Sequence, residues 1–138
     1  MDPNHYPARL ALAVVQGQLG NYSESLKEFE RARRLDDSLA VVGFLGNVYA
    51  TSGRRAEARR VMKRLREQRK DRYVSAYCVA LTYAALAEQE LAFEWLEKAF
   101  EDRDEFLTWG LASDPRLDNL RADQRYDSLM KRIGLKRG

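Results

Sequence analysis

The sequence is poor in the residues that build disulfide-linked or metal-bound proteins. Its 138 residues include one cysteine, one histidine and three prolines. With Cys78 as the single cysteine, an internal disulfide is excluded, which fits a reducing compartment. Because His5 is the single imidazole, a zinc site with several nitrogen or sulfur ligands and a Cys-His or Ser-His catalytic pair are both disfavoured. We therefore expect neither a metal nor a cofactor, and a protein that is not an enzyme.

Long hydrophobic runs are also missing. The run "LALAVV", from Leu10 to Val15, is the longest near the start of the chain, and it is far shorter than the roughly 20 residues of a membrane-spanning helix. The opening "MDPNHYPAR" lacks the basic start of a secretory signal. Hydrophobic residues make up 45% of the chain and charged residues 33%, which is typical of a soluble globular protein. We expect a cytoplasmic protein that does not insert into membranes.

What the chain does contain is a repeat. Three stretches resemble one another when Gly20, Gly53 and Ala87 are aligned, and these positions are 33 and 34 residues apart. A small residue follows five positions later each time, and larger apolar residues recur at fixed offsets beyond it. A period near 34 with this pattern is typical of a solenoid of helical hairpins. The predicted second helices of the three hairpins are 22–35, 56–69 and 91–101, and the predicted first helices are 7–19, 39–52 and 74–86.

The turns inside the three hairpins differ at one residue. Gly20 and Gly53 suit a turn with positive φ, because glycine tolerates the left-handed region. Ala87 stands at the third equivalent position, so we expect the third turn to be tighter or right-handed. In the tail we predict a short helix near 106–112, Pro115 at the first position of another helical turn, and a last helix that Asp123 caps and Gly134 ends.

The stretch "FLGNVYATSGRRAEA", residues 44–58, resembles the tetratricopeptide repeat (TPR) family. The matching residues are Leu45, Gly46, Tyr49, Gly53 and Ala58. The first repeat departs from the family pattern, because it lacks the tryptophan and the Leu-Gly pair. The resemblance covers Tyr6 to Asp104 and implies an all-α, right-handed superhelical solenoid. Its three hairpins would be 6–38, 39–72 and 73–104, followed by C-terminal capping helices in 105–138.

The two ends of the chain carry further signals. When the first repeat is shifted back by 34 residues, Asp36 and Asp37 align with Asp2 and Pro3. Residues 1–5 are therefore interpreted as the end of a repeat that this sequence lacks, and the alternative is a true start with a proline before a helix. The stretches "AFEWLEKAFEDRDEFLTW" and "DPRLDNLRADQRYDSLMKRIGL" resemble the tail of bacterial multidomain regulators, which carry TPR arrays behind an adenylate-cyclase, Ser/Thr-kinase or winged-helix domain. That resemblance implies the C-terminal part of a larger signalling regulator.

The first helices of such a solenoid line its concave groove, where a partner would bind. An uncharged groove suits a largely apolar peptide or an inserted helix, with Asn47 bonding the backbone of the ligand. The leading interpretation is therefore a scaffold for protein–protein interaction. The alternative is that these side chains pack within their own hairpins. The residues predicted to line the groove are Leu10, Val14, Gly43, Asn47, Tyr77, Leu81 and Ala84.

A basic segment provides the alternative function. Residues 54–72 contain ten Lys or Arg and three Asp or Glu, a net charge of +7 in a chain whose net charge is +3. Such a segment is able to dock nucleic acid, an anionic membrane surface or an acidic protein. The outer helix of a solenoid is nevertheless commonly solvated, and no aromatic residue interleaves this segment to stack bases. The predicted stripe consists of Arg55, Arg59, Lys63, Arg66 and Lys70.

A homodimer is a further hypothesis. Acidic residues cluster between positions 88 and 105, so basic and acidic patches could pair between two copies. An apolar end surface at residues 6–20 would also favour self-association.

Overall fold

The structure, a computed structural model, describes residues 6–35, 39–68 and 75–134. Within these ranges every regular element is helical and no strand occurs, in agreement with the predicted all-α class. The chain divides into two compact units, Met1–Val74 and Ser75–Gly138. The elements are α1 Tyr6–Gln18, α2 Tyr22–Leu35, α3 Leu39–Thr51, α4 Arg55–Gln68, α5 Ala76–Ala85, α6 Gln89–Glu101, α7 Glu105–Ser113, the 3₁₀ helix η1 Pro115–Leu120, and α8 Gln124–Arg132.

The first unit contains two helical pairs, α1–α2 and α3–α4, and α3 also packs against α1 and α2. Helices α2 and α4 are rich in charge, so each places only a narrow apolar stripe against its neighbours. Burial of such stripes removes apolar surface from water and so stabilises the pairs. The stabilisation is about 25 cal/mol for each Å² of apolar surface that is buried. The buried stripe residues are Phe29 and Ala32 of α2 and Ala58, Met62 and Leu65 of α4.

Small residues let the helices of the first unit approach closely. Ser25 of α2 is fully buried, and its Oγ donates a hydrogen bond of 2.6 Å to the carbonyl oxygen of Ala13 in α1. A Cβ atom at Gly17 would lie 3.1 Å from Cγ2 of Val48 and 3.2 Å from Oγ of Ser25. Gly17 is therefore a point where α1 meets both α2 and α3, and a larger side chain there would push these helices apart.

The same turn closes the first helix of each of the three pairs. In the first turn Gly20 has a φ of +83°, and the N–H of Asn21 donates to the carbonyl oxygen of Gln16 at 2.9 Å. These are features of a Schellman motif, in which a residue in the left-handed region ends the helix. Gly53 repeats the turn with a φ of +86°, and Ala87 repeats it with a φ of +61°.

The prediction that the turn at Ala87 is tighter or right-handed is therefore wrong, because this turn has the same handedness and the same hydrogen-bond spacing as the other two. The N–H of Ala87 donates to the carbonyl oxygen of Ala84, and the N–H of Glu88 donates to that of Tyr83, both at 3.0 Å. A left-handed alanine costs roughly 1–2 kcal/mol. The packing of α5 against α6 and the two closing hydrogen bonds outweigh that cost, so the repeat overrides the local preference of the residue.

In the second unit α5 packs against α6, and the elements after α6 cover this pair. The 3₁₀ helix η1 lies against α5, where Nδ2 of Asn119 donates to the carbonyl oxygen of Ala84 at 2.8 Å. Helix α8 lies against α6, where the guanidinium of Arg125 is 4.4 Å from the ring centroid of Phe93. The tail and the third helical pair thus form one unit, whereas the sequence-based division separates them at residue 105.

The structure also answers the predictions about helix ends in the tail. At the start of α8, Oδ1 of Asp123 accepts the backbone N–H of Arg125 at 2.9 Å, and Gly134 follows its end with a φ of +81°. Pro115 is the first residue of η1. These three predictions are confirmed. Residues 1–5, interpreted as the end of a missing repeat, lie outside the described residues.

Candidate interaction surface

Helix α1 and the turn after it present a row of apolar side chains to solvent. Leu12, Val15 and Leu19 are 43%, 48% and 68% exposed. They are spaced three and four residues apart, so they share one side of the helix, opposite Ala13 and Gly17 on its packed side. Single exposed apolar residues are ordinary, whereas these three side chains lie next to one another and form a continuous apolar row. We refer to Leu12, Val15 and Leu19 as the α1 apolar face.

The α1 apolar face is uncharged. Among the described side chains of α1, the one charged group is Arg9, whose Nη1 lies 3.1 Å from Oε2 of Glu28. Glu28 is buried and also accepts a hydrogen bond of 2.7 Å from Arg31. Arg9 is therefore paired with a carboxylate inside the first unit, and it shares that carboxylate with Arg31. A partner could cover α1 without burying an unpaired charge, which would be costly.

The predicted basic stripe is exposed wherever the structure describes it. Residues 54–68 hold seven basic and two acidic side chains, a local net charge of +5. A concentration of positive charge of this kind attracts anionic molecules, and salt weakens the attraction. Lys70 lies outside the described residues. We refer to the exposed members Arg55, Arg59, Lys63 and Arg66 as the α4 basic surface.

Most of the predicted groove residues are enclosed. Leu10 and Val14 are half-buried on α1. In the first unit, residues of α3 are covered because this helix packs against α1, α2 and α4. In the second unit, the tail covers part of α5. The structure therefore contradicts the prediction of an exposed groove lining for five residues, which are all buried: Gly43, Asn47, Tyr77, Leu81 and Ala84.

Tyr77 was predicted to contact a bound peptide, and in the structure it contacts helix α7 and the residues that follow it. Its ring stacks on that of Phe106 in α7, with centroids 6.4 Å apart, and it lies directly against Gly110 of the same helix. Its hydroxyl donates a hydrogen bond of 2.5 Å to Oδ2 of Asp114, which is fully buried. Arg116 donates to the same carboxylate, from Nε at 2.9 Å and from Nη2 at 2.8 Å. The segment from α7 to η1 thus occupies the side of α5 that carries Tyr77.

A second buried carboxylate joins the starts of α5 and α7. Oγ of Ser75 donates to Oδ2 of Asp104 at 2.7 Å, and the N–H of Phe106 donates to Oδ1 at 3.0 Å. Ser75 in turn accepts the N–H of Cys78 at 3.3 Å. Both residues therefore cap a helix, and the bond between them fixes the two helix starts to each other. In the sequence these residue types signal local caps, and nothing there indicates the link between them.

The ionisation of these groups supports the hydrogen-bond directions. Burial raises the pKa of Tyr77, and the charge of Asp114 raises it further. Burial also raises the pKa of Cys78 to about 12. Burial alone would raise the pKa of Asp114, but the hydrogen bonds and charge of Arg116 hold it below its usual range. At neutral pH the phenol and the thiol are neutral and Asp114 is charged, so Tyr77 donates and Asp114 accepts.

Comparisons of the chain with protein-family models, with curated proteins and with solved structures gave no match in any of the three. Within residues 6–35, 39–68 and 75–134 there is no cluster of three or more His, Cys, Asp or Glu side chains that could hold a metal ion. Of the helices that the structure describes, none has both the length and the apolarity needed to cross a membrane.

Proposed function

We propose that this chain is a non-catalytic protein-interaction module and that its partner contacts the α1 apolar face. The supporting observation is that Leu12, Val15 and Leu19 form an exposed, uncharged row along α1 and the turn after it. A partner helix or apolar segment would bury this row. Leu10 and Val14, half-buried on the same helix, would border the contact. The proposed partner is still an apolar segment or helix of a protein, as the sequence predicted. The proposed contact surface is α1 in place of the predicted groove.

We also propose that the architecture is a cytoplasmic TPR-type solenoid with a right-handed superhelix. Three helical pairs with a period of 33 or 34 residues support this proposal. Further support comes from the left-handed turn residue that each pair shares, at Gly20, Gly53 and Ala87. Stacked hairpins of this kind serve as extended binding surfaces, which agrees with a role in protein interaction.

Affinity capture from a cell lysate tests the function. The immobilised parent chain is compared with Leu12→Lys/Leu19→Lys, which should keep its helical content because both residues are exposed. We expect this variant to lose specifically bound proteins by about tenfold or more, since charges would have to be buried against the partner. The matched control is Trp109→Lys, at a side chain of α7 that is 52% exposed, and it should bind like the parent. Identical captured proteins for all three chains would refute the proposal.

The α4 basic surface supports a second candidate, the binding of nucleic acid or another anionic surface. Its support is the row of exposed cationic side chains that includes Arg59, Lys63 and Arg66. Under this candidate an oligonucleotide should bind the parent chain and lose affinity steeply between about 50 and 200 mM salt. The variant Arg59→Glu/Lys63→Glu should then bind far more weakly. Under the leading proposal, oligonucleotide binding is weak and this variant leaves protein capture unchanged.

A further inference from the structure

The repeat itself indicates what kind of structure fits the α1 apolar face. After a shift of one 33-residue period, Leu12 and Val15 correspond to Leu45 and Val48 of α3. Leu45 is 2% exposed and Val48 is 5% exposed. The same two apolar positions are thus covered in the second helical pair and open in the first.

The cover over α3 includes the first helical pair. Helix α3 packs against both α1 and α2. At Gly17 an added Cβ atom would lie 3.1 Å from Cγ2 of Val48, so a small residue of α1 meets this valine. Ser25 of α2 borders the same point, and its hydroxyl is bonded to the carbonyl oxygen of Ala13. A pair of helices with small residues where they meet, here Gly17 and Ser25, therefore packs closely over a valine at position 48.

We infer that the α1 apolar face is a docking site for a helical hairpin on a partner protein, built like α1–α2 with small, uncharged residues facing Val15. This inference rests on the proposed function and names the class of partner for the same face. Because the face is uncharged, a hairpin with a small-residue side covers it at no electrostatic cost. A second copy of the chain is a poorer occupant, because its own Gly17 is already packed against its own Val48.

The test supplies such a hairpin within the full chain. A second copy of residues 6–38 is inserted between His5 and Tyr6, so that the added hairpin precedes α1 as α1–α2 precedes α3. The reporter is Val15→Cys in the original α1, and the measured quantity is its rate of labelling by a maleimide. Cys78 gives little background, since it is 1% exposed and burial raises its pKa to about 12.

In the parent chain, the reporter should label rapidly because Val15 is 48% exposed. In the tandem chain we expect labelling to be slower by about tenfold or more, since the site then opens only through local unfolding. The matched control carries Gly17→Leu in the added copy only. Its reporter should label at nearly the parent rate, because a leucine there cannot fit against position 15.

Two results would overturn the inference. One is labelling of the tandem chain at the parent rate, whether or not circular dichroism shows that the added residues are helical. The other is sedimentation evidence that the parent chain dimerises and thereby protects the reporter, since the occupant would then be a second copy. Neither result decides the proposed function, because the capture experiment with Leu12→Lys/Leu19→Lys does not depend on the shape of the partner.

Discussion

Ala87 is the residue at which the repeat most clearly overrides a local preference. Its φ of +61° lies in the left-handed region, where the other two turns have Gly20 and Gly53. We expect Ala87→Gly to raise the free energy of unfolding by roughly 0.5–1 kcal/mol, because relief of the steric cost exceeds the entropy that glycine adds to the unfolded chain. Urea denaturation followed by circular dichroism measures the change.

The control for this prediction is Ala112→Gly at an exposed position within α7. There glycine should lower the free energy of unfolding by up to about 1 kcal/mol, since the helix conformation suits alanine better. Changes of the same sign at positions 87 and 112 would show that the left-handed turn is not what sets the effect at Ala87.

Asp114 and Asp123 offer a comparison between a buried and a partly exposed version of one motif. Each caps a helix, and each pairs with an arginine two residues later. Asp114→Asn should lower the free energy of unfolding by roughly 2–4 kcal/mol, because Arg116 loses its anion and the interior loses an ion pair. Asp123→Asn should cost much less, since solvent screens its pair. Equal losses in thermal or urea unfolding would argue against the buried network.

The same carboxylate predicts a pH dependence. The folded pKa of Asp114 lies below its ordinary value of 3.8, so the ionised form stabilises the folded state above about pH 4. That stability is lost as the pH falls through the folded pKa. The difference in unfolding free energy between the parent and Asp114→Asn should therefore be full at pH 7 and shrink below about pH 4. A difference that grows on acidification would mean that the pKa is raised instead.

At the scale of elements, Gly110 sets how closely α7 approaches α5. A Cβ atom at position 110 would overlap the ring of Tyr77. We expect Gly110→Ala to destabilise the protein by about 1–3 kcal/mol or more, because the two helices must separate. In a Tyr77→Leu background the same substitution should be neutral or slightly stabilising, since alanine favours the helix. A double-mutant cycle on unfolding free energies measures this coupling, and additive effects would exclude the close contact.

The sequence predicts the positions of the helices well, but it predicts poorly which elements pack over each helix. Seven predicted helices agree with α1 to α7 within two residues, because apolar spacing and turn residues are local signals. The burial of Tyr77 depends on Phe106, Gly110 and Asp114, which lie about thirty residues further along the chain. A glycine inside α7 was the one available signal of a close approach, and it does not identify the helix that approaches.

At the scale of the whole molecule, the two predicted apolar surfaces differ in their exposure: part of the end surface at residues 6–20 is exposed, whereas most of the predicted groove residues are buried. The exposed apolar end was predicted from the sequence only as a range, residues 6–20. Its members Leu12, Val15 and Leu19 could be identified only once the packed side of α1 was known. The groove prediction failed at Tyr77 and Leu81 because it assumed that the first helices stay open along their whole length.

Photo-crosslinking in a cell lysate tests most directly whether partners contact α1. A benzophenone amino acid replaces Val15 on the α1 apolar face in one protein and Lys63 on the α4 basic surface in another, and both positions are exposed. We predict adducts of defined mass from position 15, their loss in the Leu12→Lys/Leu19→Lys background, and few adducts from position 63. Adducts that form from position 63 and not from position 15 would contradict the assignment of α1 as the interaction surface.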